Sequence, residues 1–162
     1  MFRRTTIPAP FAASLKEFGA LTTAPLEDGR WFAVGAAEVA VIGVDGVALR
    51  TPWTDLESAT WDGESRELTL SRVDGAPPTV LRLATDDVFR LMTAVRERVN
   101  GSIVHVEYLA TAGGEIRALV RRSADGTLFS QLVARGPVTD ADMEAAASLE
   151  RRARAAAGLP TT

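Results

Sequence analysis

The chain has 162 residues, 46% of them hydrophobic and 24% charged, a balance that suits one globular domain with or without an appendage. Its net charge of −3 gives no overall pull toward nucleic acid or an anionic membrane. Cysteine is absent, which excludes disulfides, thiol nucleophiles and cysteine-ligated metal centres, and fits the cytoplasmic location expected here.

The N-terminal stretch "MFRRTTIPAPF" carries two arginines with no apolar run behind them, which reads against a secretory signal. The longest apolar run, 31–44, is broken by Glu38 and is too short to span a bilayer. Within an N-terminal segment 1–20, Phe11, Leu15 and Phe18 recur at i, i+4 and i+7 and predict a short helix, with 22–25 as a connector. Asp-Gly steps then punctuate the chain at 28–29, 45–46, 62–63, 74–75 and 125–126, and a Gly-Gly step lies at 113–114. Such steps favour tight turns, because glycine accepts positive φ and aspartate tolerates it. The short segments between them predict antiparallel strands over 30–34, 38–42, 47–53, 56–61, 66–73 and 79–83. Alternation is clearest where Leu68 and Leu70, and then Leu81 and Leu83, share one face.

From Thr85 the period changes. Val88, Leu91, Met92, Val95 and Val99 form one helical stripe, with Thr85 as the N-cap, Asp86 and Asp87 in the first turn and Asn100-Gly101 as the stop. Leu91 lies mid-stripe and is assigned a structural role. Strands follow over 103–109, 115–122 and 128–134. A last helix spans 140–157, capped by Thr139 with Asp142 and presenting Met143, Ala146, Ala153 and Ala157 as its apolar face.

Strands followed by one amphipathic helix, over about 21–101, resemble a bacterial pleckstrin-homology-like domain. "PWTDLESATW", "VRERVNGSIV" and "VRRS" are also similar to stretches of an uncharacterised actinobacterial family. The resemblance implies an α+β protein: a PH-like antiparallel β-barrel capped by a helix (21–101), then a three-strand extension and terminal helix (102–162) packed with it as one unit. It supplies no activity. It assigns Trp31, Trp53 and Trp61 to the barrel wall, with Trp53 continuing the strand face of Val47 and Leu49. In phosphoinositide-binding domains of this type, the loop between the first two strands is rich in Lys and Arg. That loop is read here as 35–37, which holds no base, so phosphoinositide is not an expected partner.

Few residues offer chemistry. His105 is the only histidine, and Glu107 shares its strand face, which reads as a hydrogen-bonded histidine. Ser102 and Ser130 flank it, but neither sits in a G-x-S-x-G elbow. Phosphate-loop motifs and clustered metal ligands are missing, so neither a metal nor another cofactor is expected. Lys16 is the only lysine and arginine supplies the other basic residues, of which Arg117, Arg121 and Arg122 cluster on one strand. The Gly113-Gly114 turn is expected to bring His105 and Glu107 within cross-strand reach of Arg117 and Arg121. Glu107 then neutralises one arginine and leaves a positive surface patch for an acidic partner, so reversing both arginines leaves stability intact.

The first expected function is a non-catalytic module that binds another protein through a barrel edge or the extension. A second is a small-molecule-binding protein or enzyme with a pocket between barrel and extension, using His105, Glu107 and Arg117. A third and weaker one is nucleic-acid binding through the arginines of 117–122. Homo-oligomerisation is left open.

Overall fold

The structure, a computed structural model, describes residues 6–161. Residues 1–5, the start of the expected N-terminal segment, lie outside the described residues, as does residue 162. The chain runs α1 (Ala9–Phe18), β1 (Thr22–Pro25), β2 (Trp31–Val34), β3 (Glu38–Gly43), β4 (Gly46–Pro52), a single 3-10 turn (Trp53–Asp55), β5 (Leu56–Asp62), β6 (Glu67–Arg72), β7 (Thr79–Arg82), α2 (Phe89–Ser102), β8 (Ile103–Thr111), β9 (Gly114–Arg122), β10 (Leu128–Arg135) and α3 (Asp140–Ala156).

The class is α+β. The strands form three antiparallel sheets, ordered β1-β2-β3-β4, β5-β6-β7 and β10-β9-β8. No closed barrel forms among the described residues. The first two sheets meet at one corner. There Leu26 bridges Leu83, the Ala84 amide donates to the Pro25 carbonyl at 2.8 Å and the Glu27 amide donates to the Arg82 carbonyl at 3.0 Å.

The main core fills the space between these two sheets and α2. Phe32, Val34, Val39 and Val41 come from the first sheet, Leu56, Leu68, Leu70 and Leu81 from the second, and Leu91, Met92, Val95 and Val99 from the helix. The apolar runs "WFAV" and "VAVI" reflect burial on both sides of the first sheet, since α1 lays Phe11 and Leu15 over Trp31, Ala33, Ala40 and Ile42 on the second face. The third sheet has its own core, in which Ile116, Ala118 and Val120 pack under Ala146, Leu149 and Ala153 of α3. Its hairpin mouth is closed tightly, because a Cβ on Gly114 would strike the Arg135 carbonyl.

Several expectations change. Residues 22–25 form a strand, pairing Thr22 with Val34 and Pro25 with Trp31; Pro25, lacking an N–H, stands at the strand end. Trp53 does not continue β4. Pro52 ends that strand, and Trp53 opens the 3-10 turn with its ring buried and its Nε1 donating to the Gly35 carbonyl at 3.2 Å. Trp31 is buried as expected, whereas Trp61 is only partly buried at the edge of the main core. The helix expected from Thr85 starts at Phe89, because the Thr85 hydroxyl accepts from the Asp87 amide (3.1 Å) in a separate turn and leaves both aspartates ahead of the helix. It also runs through Asn100-Gly101 to Ser102. The capping box of Thr139 and Asp142 forms as read, but Leu149 replaces Met143 on the buried face of α3, and Met143 is 51% exposed.

The α2 stripe closes the main core, and Leu91 is 3% exposed within it. Leu91→Asp buries an unpaired carboxylate there, so this variant is expected to lose cooperative thermal unfolding followed by circular dichroism.

Candidate functional site

Arg121 is fully buried, at 0% exposure, and is not a surface residue. On β9 it shares a face with Arg117 and Leu119, and that face is turned onto the turn ahead of β5. Its Nη1 donates to the carbonyls of Leu56 (2.6 Å) and Thr54 (3.1 Å), and its Nη2 to the carbonyl of Trp53 (2.9 Å). Nε and Nη2 both donate to Ser102 Oγ, at 3.1 and 2.7 Å. The Ser102 hydroxyl is free to accept because its own proton goes to the Val99 carbonyl at 2.7 Å. Gln131 completes the ring by donating to the Thr54 carbonyl at 2.7 Å. Burial pushes the Arg121 guanidinium down to about 10, with the Asp55 charge opposing the shift, so the group stays protonated at neutral pH.

Arg117 is likewise engaged, and its partner is Glu57, not Glu107. The Glu57 carboxylate pairs with both Arg117 and Arg135, reaching Arg135 Nη2 at 2.6 Å. Burial, and then the nearby Arg135 charge, hold the Arg117 guanidinium below its ordinary value. The expected cluster of four does not assemble, and the strand register gives the reason. Tyr108 pairs with Arg117 and Ile103 with Arg121, while Glu107 pairs with Ala118 and His105 with Val120. Paired residues share a face, so His105 and Glu107 lie on the α3 side and the two arginines on the other. Of Arg117, Arg121 and Arg122, only Arg122 is exposed.

His105 and Glu107 do share a face, and His105 Nε2 lies 3.0 Å from Glu107 Oε1. Ser102 is held by Arg121, and Ser130 bonds to Glu150 and to Arg154 on α3. No group of three or more carboxylate or imidazole side chains converges among the described residues.

A cleft of about 610 Å³ opens between the first sheet, α2 and the third sheet, where residues 36–38, residues 52–54, the last turns of α2 and the β9–β10 turn meet. Arg98, Arg122, Glu97 and Asp125 line it, and His105 does not. Arg98 donates to the Ala36 carbonyl at 3.1 Å. The Asp125 carboxyl is pulled down to about 2 by the Ser123 hydroxyl and the Thr127 amide. The volume falls in the range of small-ligand sites.

The sequence did not single out the outer edge of β8. This strand has nine residues, pairs with β9 on one side, and stands at the end of its sheet. Among the described residues, no loop or turn backbone group bonds to its other side. Val104 is 41% exposed and Tyr108 62%. The signal available in sequence is the absence of Lys, Arg and Pro from 103–111, the residues that commonly protect an edge.

No helix among the described residues is long and apolar enough to cross a membrane. No family model matches the chain, and no curated protein matches it.

Arg121→Ala would leave the carbonyls of Trp53, Thr54 and Leu56 and the Ser102 hydroxyl without their shared donor. The expected cost is about 3–5 kcal/mol of unfolding free energy, since each buried acceptor left unsatisfied costs about 1–3 kcal/mol. Urea denaturation measures it; a loss below about 1 kcal/mol, the range of an ordinary surface residue, would contradict this account.

Proposed function

We propose that the protein is a non-catalytic binding module that takes an extended segment of another polypeptide onto the outer edge of β8. The observation that carries this reading is the edge itself: nine residues paired on one side, with Val104 and Tyr108 exposed. Strand addition draws affinity from the free backbone groups and specificity from alternate side chains. The residues first suspected of chemistry support the same reading. Arg121, Arg117 and Ser102 are committed to neighbouring segments, and His105 is bonded to Glu107.

A pleckstrin-homology-like identity for 21–101 belongs to this proposal. It is supported by seven strands split four and three, the corner bridge between Leu26 and Leu83, and the helix that follows and packs between the sheets. The loop between the first two strands is then 26–30, not 35–37. It carries Glu27 and Asp28, and its one base, Arg30, is clamped on Asp28 by bonds of 2.9 and 2.6 Å. That bond holds the Asp28 carboxyl below its ordinary range.

The cleft favours a second reading, a small-molecule site between the first sheet, α2 and the third sheet with Arg122 as its exposed cation. One experiment separates the two. Val104→Lys with Tyr108→Lys should abolish capture of partner protein from native-cell lysate, while Arg122→Glu leaves it unchanged and all variants keep the parent's circular dichroism spectrum. Capture lost with Arg122→Glu and kept with the lysines would move the docking site to the cleft.

Vesicles containing phosphoinositides should not sediment the protein saturably at physiological salt, since a loop with two acids and one neutralised base lacks the cluster a polyanionic head group needs. Head-group-specific cosedimentation would overturn this.

A further inference from the structure

We infer that the strand received by β8 is β8 of a second copy, paired antiparallel about a two-fold axis at Val106. This rests on the edge reading above and names its occupant. Val104 and Tyr108 are the large apolar side chains exposed along this edge, so the register sought is one that covers both, across residues 104–108. An antiparallel pair related by a two-fold axis keeps the faces of the two sheets aligned, so the axis must pass through a residue and not between two. Three centres lie well within the segment. An axis at Glu107 sets two carboxylates directly opposite each other, which is destabilising. An axis at His105 faces the two imidazoles and leaves Tyr108 beyond the paired segment. An axis at Val106 matches every position: Val104 meets the partner copy's Tyr108, His105 meets its Glu107, and Val106 meets its Val106.

The segment "VHVEY" is therefore complementary to itself when reversed. Val106 and Tyr108 lie on the face of Leu119, and His105 and Glu107 on the face of Val120 and Ala118, while Val104 stands in the bulge after Ile103. The two exposed apolar side chains at the edge, Val104 and Tyr108, cover each other in this register. His105 and Glu107 are each about one-third exposed and bonded within the strand, which leaves both able to bond again across the axis. The outcome is one six-stranded sheet with both α3 helices on the same face.

Two measurements test the register. Sedimentation equilibrium of the full chain should show a dimer at micromolar concentration. His105→Glu, which sets like charges opposite each other twice, should weaken it by about tenfold or more. The exchange His105→Glu with Glu107→His should restore it, an outcome a misfolded variant cannot give. The absence of cysteine permits a direct readout of the axis. Directly opposed strand residues lie about 4.5–5.5 Å apart at Cα, within disulfide reach. Val106→Cys should thus form a linked dimer under oxidised glutathione, whereas Tyr108→Cys links to Val104→Cys and not to itself. A chain that stays monomeric, with Val106→Cys unlinked, overturns the inference, and so does self-linking of Tyr108→Cys without Val106→Cys. If the monomer's partner capture is still abolished by the Val104 and Tyr108 lysine substitutions, the edge reading stands and the occupant is a foreign strand; if capture persists, both fall.

Discussion

The guanidinium of Arg121 is the constraint on which the arrangement of the third sheet depends. An isolated charge at 0% exposure carries a desolvation penalty of several kcal/mol. No carboxylate among the described residues bonds to it; apart from Gln131 Oε1 on β10, at 3.5 Å, its acceptors are the carbonyls of Trp53, Thr54 and Leu56 and the hydroxyl of Ser102. These acceptors belong to the turn ahead of β5 and to the last residue of α2, so β9 can satisfy its arginine only when both segments are in place. The same bonds explain two local irregularities. The 3-10 turn after Pro52 aims successive carbonyls at one point, and α2 continues past Asn100-Gly101 until Ser102 can be used at both ends. Residues 102–162 are thus fastened to the preceding unit by a polar joint whose parts have no use apart.

A second joint lies beside the first. Glu57, 10% exposed, holds Arg117 and Arg135 together, so a single carboxylate ties β5 to two strands of the third sheet. Glu115 adds a second carboxylate near Arg117 and Arg135, at 3.6 and 3.9 Å, so the charge left to offset inside the contact is that of the buried Arg121, which the surrounding carbonyl dipoles and the Asp55 charge nearby oppose. The cleft follows from these joints. The joints draw β9 against residues 53–57, while the β9–β10 turn and the last turns of α2 diverge beside them and leave the space lined by Arg98 and Arg122.

Much of the fold was legible in the sequence because its signals were local. Leu68 and Leu70 alternate with polar neighbours, the stripe from Val88 to Val99 has a helical period, and Thr139 with Asp142 is a complete cap. What misled was what two locally equivalent patterns hide. Thr85 suits either a helix cap or a turn, and the tertiary position of Val88 decided for the turn. "TTAP" has two threonines that favour a strand, but it is short and ends in proline, so it reads as a connector and becomes β1 where β2 offers an edge. The arginines were the larger error. Arg121 and Arg122 are identical in sequence terms, and alternation alone sends one in and one out. Ile116, Ala118 and Val120 on one face, with Leu119 on the other, already marked β9 as apolar on both sides, and an arginine in such a strand requires buried acceptors. Reading the strand as half-wet placed Arg121 outside. The half-wet picture also assumed that His105 and Glu107 face the arginines, and the bulge after Ile103 and the register that follows it set them on the other side.

Covering both faces of the third sheet leaves its edges as the remaining place for contact. Helix α3 occupies one face, and residues 53–57 occupy part of the other. The two edges are not equivalent. On the β10 side, Gln131 and Arg135 already reach Thr54 and Glu57, so an added strand would have to approach beside the joint that fixes the sheet. On the β8 side no such joint exists among the described residues, and the strand's backbone groups and its exposed Val104 and Tyr108 stand together on one accessible line. An edge of this kind is a hazard in any soluble chain unless something occupies it. In 103–111 the only devices against occupation are the bulge after Ile103 and the charge of Glu107, with no Lys, Arg or Pro, whereas β4 ends in Pro52 and carries Arg50. The contrast within one molecule, one edge with proline and arginine and one with neither, supports the proposal that docking uses the β8 edge.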